Sequence, residues 1–185
     1  MARDSQYHMR VAPVVIESVW AHLVVSAISL MLLWLAFPEP AWGWLAHLAL
    51  VPGAVLAIRS TRAKRLAWST YVVSLVWWFT MIHWIAPVTV GGYVALSVYL
   101  ALYTPAALLT VRWLYQRLRW PLFWILPTTW VSFEVLRGRL LAGGFGWFAL
   151  GQSQVPWPPV DDPNRLIQIA DVFGETGLSL LVAMT

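Results

Sequence analysis

Uncharged apolar runs cover Ser18–Phe37, Ala41–Ile58, Leu66–Pro87 and Gly91–Val111, each near the length a helix needs to cross hydrocarbon. A fifth run, Trp120 to about Leu136, is interrupted by Glu134, and a sixth begins near Leu166 and is still running at Thr185. The pattern predicts an all-α integral membrane protein, a polytopic bundle of about six transmembrane helices with the last one truncated. Its spans fall at about 14–37, 41–58, 66–87, 91–111, 120–137 and 166–185, with an irregular external segment over 138–165. The first run is too long for a signal-peptide core and has no small-residue cleavage site behind it, so it is expected to stay as an anchor. No internal repeat, low-complexity tract, heptad run or phosphate-binding glycine loop interrupts the pattern.

Charge sets the orientation. Arg3 and Arg10 precede the first run, Arg59, Arg62, Lys64 and Arg65 follow the second, and Arg112, Arg117 and Arg119 follow the fourth. The connections Pro38–Pro40 and Val88–Val90 carry no basic residue. Basic residues near span ends are retained on the cytoplasmic side, so the N-terminus is expected there and the segment after span five outside, with Arg137, Arg139 and Arg165 as exceptions. Tryptophan prefers the headgroup level, which places Trp34, Trp42, Trp44 and Trp84 at the outer face and Trp68, Trp113 and Trp120 at the inner. Pro52, Pro105 and Pro127 fall inside spans and predict kinks.

Composition narrows the chemistry. Of 185 residues 60% are hydrophobic and only 11% charged, far from the quarter usual in soluble domains, and one domain, 1–185, has no room for a separate soluble module. With no Cys there is no disulfide, thiolate metal site or thiol nucleophile, and Lys64 is the single lysine. The net charge of +4 fits membrane orientation better than nucleic-acid binding. His22, His47 and His83 stand singly in separate spans with no second ligand at helical spacing, so no metal is assigned and no cofactor is expected. Asp161 and Asp162 follow a proline-rich turn and read as solvated charges, and Asp171 and Glu175 suit the start of the last helix.

One segment does not look like membrane filler. From Glu134 to Gln154 the chain reads EVLRGRLLAGGFGWFALGQSQ. Glu134 and Arg137, three apart on one helical face, are candidates for a structural ion pair, since an intramembrane ionisable group is normally paired or functional. Gly143, Gly144, Gly146 and Gly151 favour an irregular or re-entrant stretch. Phe145, Trp147 and Phe148 with Gln152, Ser153 and Gln154 would then offer an apolar wall with polar handles, suited to a lipid. Phe145, Trp147, Gln152, Ser153 and Gln154 are therefore the candidates for substrate or lipid contact, against the plainer alternative of an interfacial loop whose aromatics only set its depth.

These residues resemble a known family. LAFPEPAWGWLAHLAL, WWFTMIHWI, WVSFEVLRGRLLAGGFGWFALGQSQ and LIQIADVFGETGLSLLVAM resemble, in order, the first hairpin, the end of the third span, the W-x-x-x-E-x-L-R-G with G-F-P-W-x-x-L-G-x-S-Q signature and the approach to the sixth span of the bacterial apolipoprotein N-acyltransferases. Gly146 stands where that signature usually has Pro, and Gln152 where an aromatic is common. The resemblance implies a bacterial inner-membrane, multi-pass protein whose partners are membrane phospholipid and a diacylated lipoprotein. It implies transfer of an acyl chain through a thioester to the α-amine of a diacylglyceryl-cysteine, carried by a nitrilase-like external domain with a Glu, Lys and Cys triad. That domain and the seventh and eighth spans are not in this sequence, so no catalytic residue is assigned and the chain alone is expected to be an inactive piece. Two other readings stay open: an acyltransferase-like membrane anchor or partner of a separately encoded enzyme, and a small transporter, which lacks the half-to-half repeat such proteins show.

Overall fold

The computed structural model describes residues 15–37, 42–140, 144–155 and 165–185. Arg3, Arg10, Pro38–Pro40, Gly143, Asp161 and Asp162, for which the sequence raises expectations, lie outside them. The regular structure of the described residues is helical, apart from one parallel bridge between Ile16 and Ser60. In order the helices are α1 (Val19–Ala36), α2 (Ala46–Arg59), α3 (Ala63–Met81), α4 (Val90–Leu100), α5 (Tyr103–Leu118), α6 (Leu122–Val135) and α7 (Ala170–Met184).

Their ends follow local chemistry. Phe37 precedes Pro38, whose ring disfavours helical backbone at the residue before it, and Phe37 is extended at φ −86°, ψ 171°. Pro105 lacks an N–H and its ring would clash with the carbonyl of Ala101, so the run from Val90 breaks at Ala101–Leu102 into α4 and α5. Pro52 and Pro127 instead sit inside α2 and α6. Gly174 supplies a second break, inside α7, at φ 68°, ψ −178°. By length and hydropathy Val19–Ala36, Val90–Leu118 and Arg165–Met184 can each cross a membrane, with Gly43–Arg59 as a shorter apolar helix.

Inside and outside are arranged as in lipid. On α1, Trp20, Val24, Ile28 and Met31 form an exposed apolar stripe, while Ser26 and Ser29 are buried. Ser69, Thr70, Ser74 and Ser97 are buried likewise on α3 and α4. Apolar surface gains nothing by leaving lipid, so contacts between helices are made by small and hydroxyl-bearing residues that allow close approach. Ala46, Ala49, Gly53, Ala54 and Ala57 are the buried face of α2, where the hydroxyl of Ser29 donates to the carbonyl of Ala49. The hydroxyl of Ser74 on α3 donates to that of Thr104 on α5 at 3.0 Å.

α1 packs against α2 and α3, α5 against α2, α3 and α6, and α7 against α6. His22, fully buried, is the hydrogen-bonded core histidine expected of a lone His: its ring meets the carbonyl of Ser18 and the hydroxyl of Ser60, each at 2.8 Å. Arg112 of α5 reaches the same turn, donating to the carbonyls of Ala57 and Ser60. These contacts tie α1, α2 and α5 at the end where α3 begins. At the opposite end the hydroxyl of Thr185, closing α7, bonds to His47 in the first turn of α2.

Candidate functional site

The site grows from the last turn of α6. There the backbone widens into a π-helical turn over Leu136–Leu140, which frees carbonyls from the regular ladder. The carbonyl of Arg137 accepts from the N–H of Phe145 at 2.8 Å, so the chain doubles back on itself. Gly144 makes the return possible: it has φ +83°, and a Cβ there would lie 2.3 Å from the carbonyl oxygen of Gly138.

Two side chains then fix the returning loop. Glu134 Oε1 accepts from the indole N–H of Trp130 and from the backbone N–H of Leu150, both at 2.8 Å. Arg137, only 7% exposed, donates through Nη2 to the carbonyl of Trp147 at 3.0 Å and lies over the Trp78 ring at 5.0 Å. Glu134 and Arg137 thus each hold a polar group of the same loop, one an N–H and the other a carbonyl. A loop backbone carried into the bundle must have its polar groups satisfied, and these two residues do that.

Between the two anchors Phe148 turns inward. It is one of two non-glycine residues with positive φ among those described, at 62°, a conformation that costs roughly 1–2 kcal/mol. Its ring meets Phe37, Trp77 and Trp78 edge-on at centroid distances of 5.3, 6.0 and 6.1 Å. Phe145 packs edge-on to Trp78 at 5.8 Å.

The residues predicted for lipid contact separate here. Trp147 is 58% exposed beside Trp84, and Phe145 is half-buried. Gln152 is an internal brace: its Oε1 accepts from the Phe148 N–H at 2.7 Å, and its Nε2 donates to the carbonyl of Gly146 at 2.9 Å and to Glu175 Oε1 at 2.8 Å. Ser153 and Gln154 are buried in a seam, Ser153 donating to the carbonyl of Leu150 and Gln154 to the carbonyl of Gly43. They hold the loop against the α1–α2 connection and do not line the cavity described next.

That cavity, of about 30 Å³, lies beneath the loop between α1, α3, α5 and α6. Trp77, Trp78, Tyr103, Trp130, Phe133 and Phe148 form its aromatic walls, with Glu134 and Arg137 at its edge. A second space of about 10 Å³ adjoins it, sharing Leu30, Leu33, Thr104 and Trp130 and reaching Ser26. Among the described residues the buried side-chain polar atoms without a hydrogen-bond partner are Ser26 Oγ, Trp77 Nε1, Glu134 Oε2 and Arg137 Nε, and all four belong to residues lining these two spaces. Leaving a buried polar atom unpaired costs roughly 1–3 kcal/mol, so these four atoms favour a partner that brings donors and acceptors into two spaces with closed volumes of water size. Glu134 also borders a more polar hollow with Arg139, Glu175, Thr176 and Ser179. Sequence reasoning missed Trp77, Trp78, Tyr103 and Thr104. The available signal was a tryptophan pair set inside a run, away from the edge where tryptophan merely marks depth.

Residues 29–185 match the model of a family described as the apolipoprotein N-acyltransferase N-terminal domain. A curated apolipoprotein N-acyltransferase of Geobacter metallireducens is 34% identical over 173 residues, covering 87% of this chain and 31% of the relative. Another, of Pasteurella multocida, is 31% identical over 160 residues, covering 80% of this chain and 28% of the relative. The chain spans about three tenths of the length of these relatives.

Proposed function

This chain belongs to the apolipoprotein N-acyltransferase family, matching its N-terminal domain, and from that premise we propose that it is the membrane part of an enzyme that moves an acyl chain from phospholipid to the N-terminal diacylglyceryl-cysteine of a lipoprotein. The aromatic-walled cleft beneath the 144–154 loop opens to receive the lipid substrate, its closed volume of about 30 Å³ being too small for one. The observation that carries this reading is the set of four unpaired buried polar atoms on residues that line two adjoining apolar spaces. A phospholipid supplies the matching chemistry, with phosphate and ester oxygens for Arg137 and Trp77 and chains for the aromatic walls. With no cysteine among its 185 residues, the chain has no thiol on which a thioester could form. Its share of the work is to hold and orient lipid, which lowers the entropic cost of the transfer step.

A phospholipid carrying a photoactivatable group near its headgroup is expected to crosslink to peptides containing Tyr103–Ala107 or Trp130–Arg137. Ala107 is buried on the cavity wall, so Ala107→Phe fills space where the lipid would lie. It should cut that crosslinking about tenfold, as expected when a well-formed pocket is blocked. Undiminished crosslinking at these peptides in Ala107→Phe would remove the cavity from the proposal.

We further propose that the protein lies in the bacterial inner membrane with its N-terminus cytoplasmic, supported by Arg59, Arg62, Lys64, Arg65, Arg117 and Arg119 gathering at one end of the bundle. The chain has no native cysteine, and Arg62 and Val88 are exposed in connections at opposite ends. In intact cells an impermeant thiol reagent should label Val88→Cys, and reach Arg62→Cys only after permeabilisation. The reverse pattern would invert the topology.

A further inference from the structure

A second hollow lies on the outside of the bundle, far from the 144–154 loop. It is a groove of about 570 Å³ between α3 and α5, walled by Trp68, Tyr71, Leu102, Pro105 and Ala106, with Lys64 at one end. Its origin is the break that Pro105 imposes: where the run from Val90 is interrupted at Ala101–Leu102, α5 presents small and ring-shaped side chains to α3. Lys64 to Tyr71, and Leu102 to Leu109, are each seven residues of helix, about 10 Å of rise. The groove is therefore about two thirds of a leaflet deep in a hydrocarbon layer of about 30 Å.

Its charge is one-sided. Arg62, Lys64 and Arg65 cluster at the start of α3, where no acidic residue occupies the first turn and no side chain caps the helix. None of the three has a side-chain hydrogen bond or ion pair among the described residues, whereas Arg112 nearby is spent on the carbonyls of Ala57 and Ser60. Glu17 is the one described acid at this end. Trp68, 67% exposed, stacks on Tyr71 with centroids 6.2 Å apart, a flat surface against which a chain can lie. The apolar length matches one acyl chain from the near leaflet, and the unpartnered cations match a phosphate that keeps a net negative charge.

We propose that this groove is a binding site for an anionic glycerophospholipid, its headgroup against Lys64 and one chain along Trp68, Tyr71 and Ala106. The site is separate from the substrate cavity and does not depend on the reading given to that cavity. Bound there, the lipid splints α3 to α5 across the break at Ala101–Leu102.

The test uses the purified protein with phosphatidylglycerol or phosphatidylcholine of identical chains, followed by native mass spectrometry. Wild-type protein should retain phosphatidylglycerol in preference to phosphatidylcholine. Lys64→Gln should weaken that retention about fivefold, the effect of one basic residue near an anionic headgroup. Ala106→Trp, which leaves every charge in place and fills the groove, should abolish it. Equal retention of the two lipids, phosphatidylglycerol retention unchanged in Ala106→Trp, or a dimer that buries the groove without lipid would each overturn the proposal. Should Ala106→Trp fail to fold, brominated-chain lipids decide the matter. Fluorescence quenching that Trp68→Phe removes should be stronger with phosphatidylglycerol than with phosphatidylcholine, and equal quenching would overturn the site.

Discussion

Arg137→Gln is expected to destabilise the bundle by about 3–5 kcal/mol, the range for removing one partner of a buried charge pair. The guanidinium holds the carbonyl of Trp147 and covers Trp78, and its loss also leaves the nearby Glu134 carboxylate without a compensating charge. Glu134→Gln should cost less, because an amide oxygen can still accept from Trp130 and Leu150, although it leaves Arg137 an uncompensated cation. The double variant is neutral and should lose less than the sum of the singles by about 1 kcal/mol or more. Thermal melts in one detergent, run as a double-mutant cycle, read this directly. Strictly additive losses would show that the two charges act independently, and that each residue serves only its own hydrogen bonds to the loop.

Phe148→Ala should produce the next largest loss. Three edge-on ring contacts at roughly 0.5–1.5 kcal/mol each set the expected cost at about 2–4 kcal/mol. Burial from water contributes little to this sum, because the competing environment for the ring is lipid. The backbone supplies a control. At φ 62° an alanine is strained and a glycine is not, so Phe148→Gly should be no less stable than Phe148→Ala, the reverse of their order in a helix. A glycine variant clearly less stable than the alanine variant would mean that the loop does not hold this left-handed turn. Both variants should free Trp77 and Trp78, whose fluorescence would shift to the red as the aromatic cluster opens.

Much of the architecture is legible in the chain because membrane helices report themselves by length and composition. α1, α2 and α3 lie over the first three apolar runs, α2 starting at Ala46 where its run starts at Ala41 and α3 ending at Met81 where its run ends at Pro87. The boundaries that moved have local causes. Span four became two helices because Pro105 forbids the hydrogen bond back to Ala101, and it ran on to Leu118 because Arg112 and Arg117 sit near a helix end, where long basic side chains find polar partners. A rule that stops a span at its first charge ends this one a full turn or more too soon.

Read as a string, the chain already shows a helical membrane bundle, 185 residues without a thiol, and an unusual segment from Glu134 to Gln154. Hydrophobic length, residue inventory and the mixture of charge, glycine and amide are properties of the string and need no fold to be read. Which partners those residues meet follows only from the folded chain. Gln152, Ser153 and Gln154 have the same composition whatever surrounds them, and the packing of the loop brings Gln152 to Glu175 and Gln154 to Gly43. Trp77, Trp78 and Tyr103 look like ordinary apolar filler until α3 and α5 are brought to α6, some 30 to 60 residues away along the chain. A cavity is a relation among distant segments, and the polar atoms left unpaired within it exist only once those segments have met.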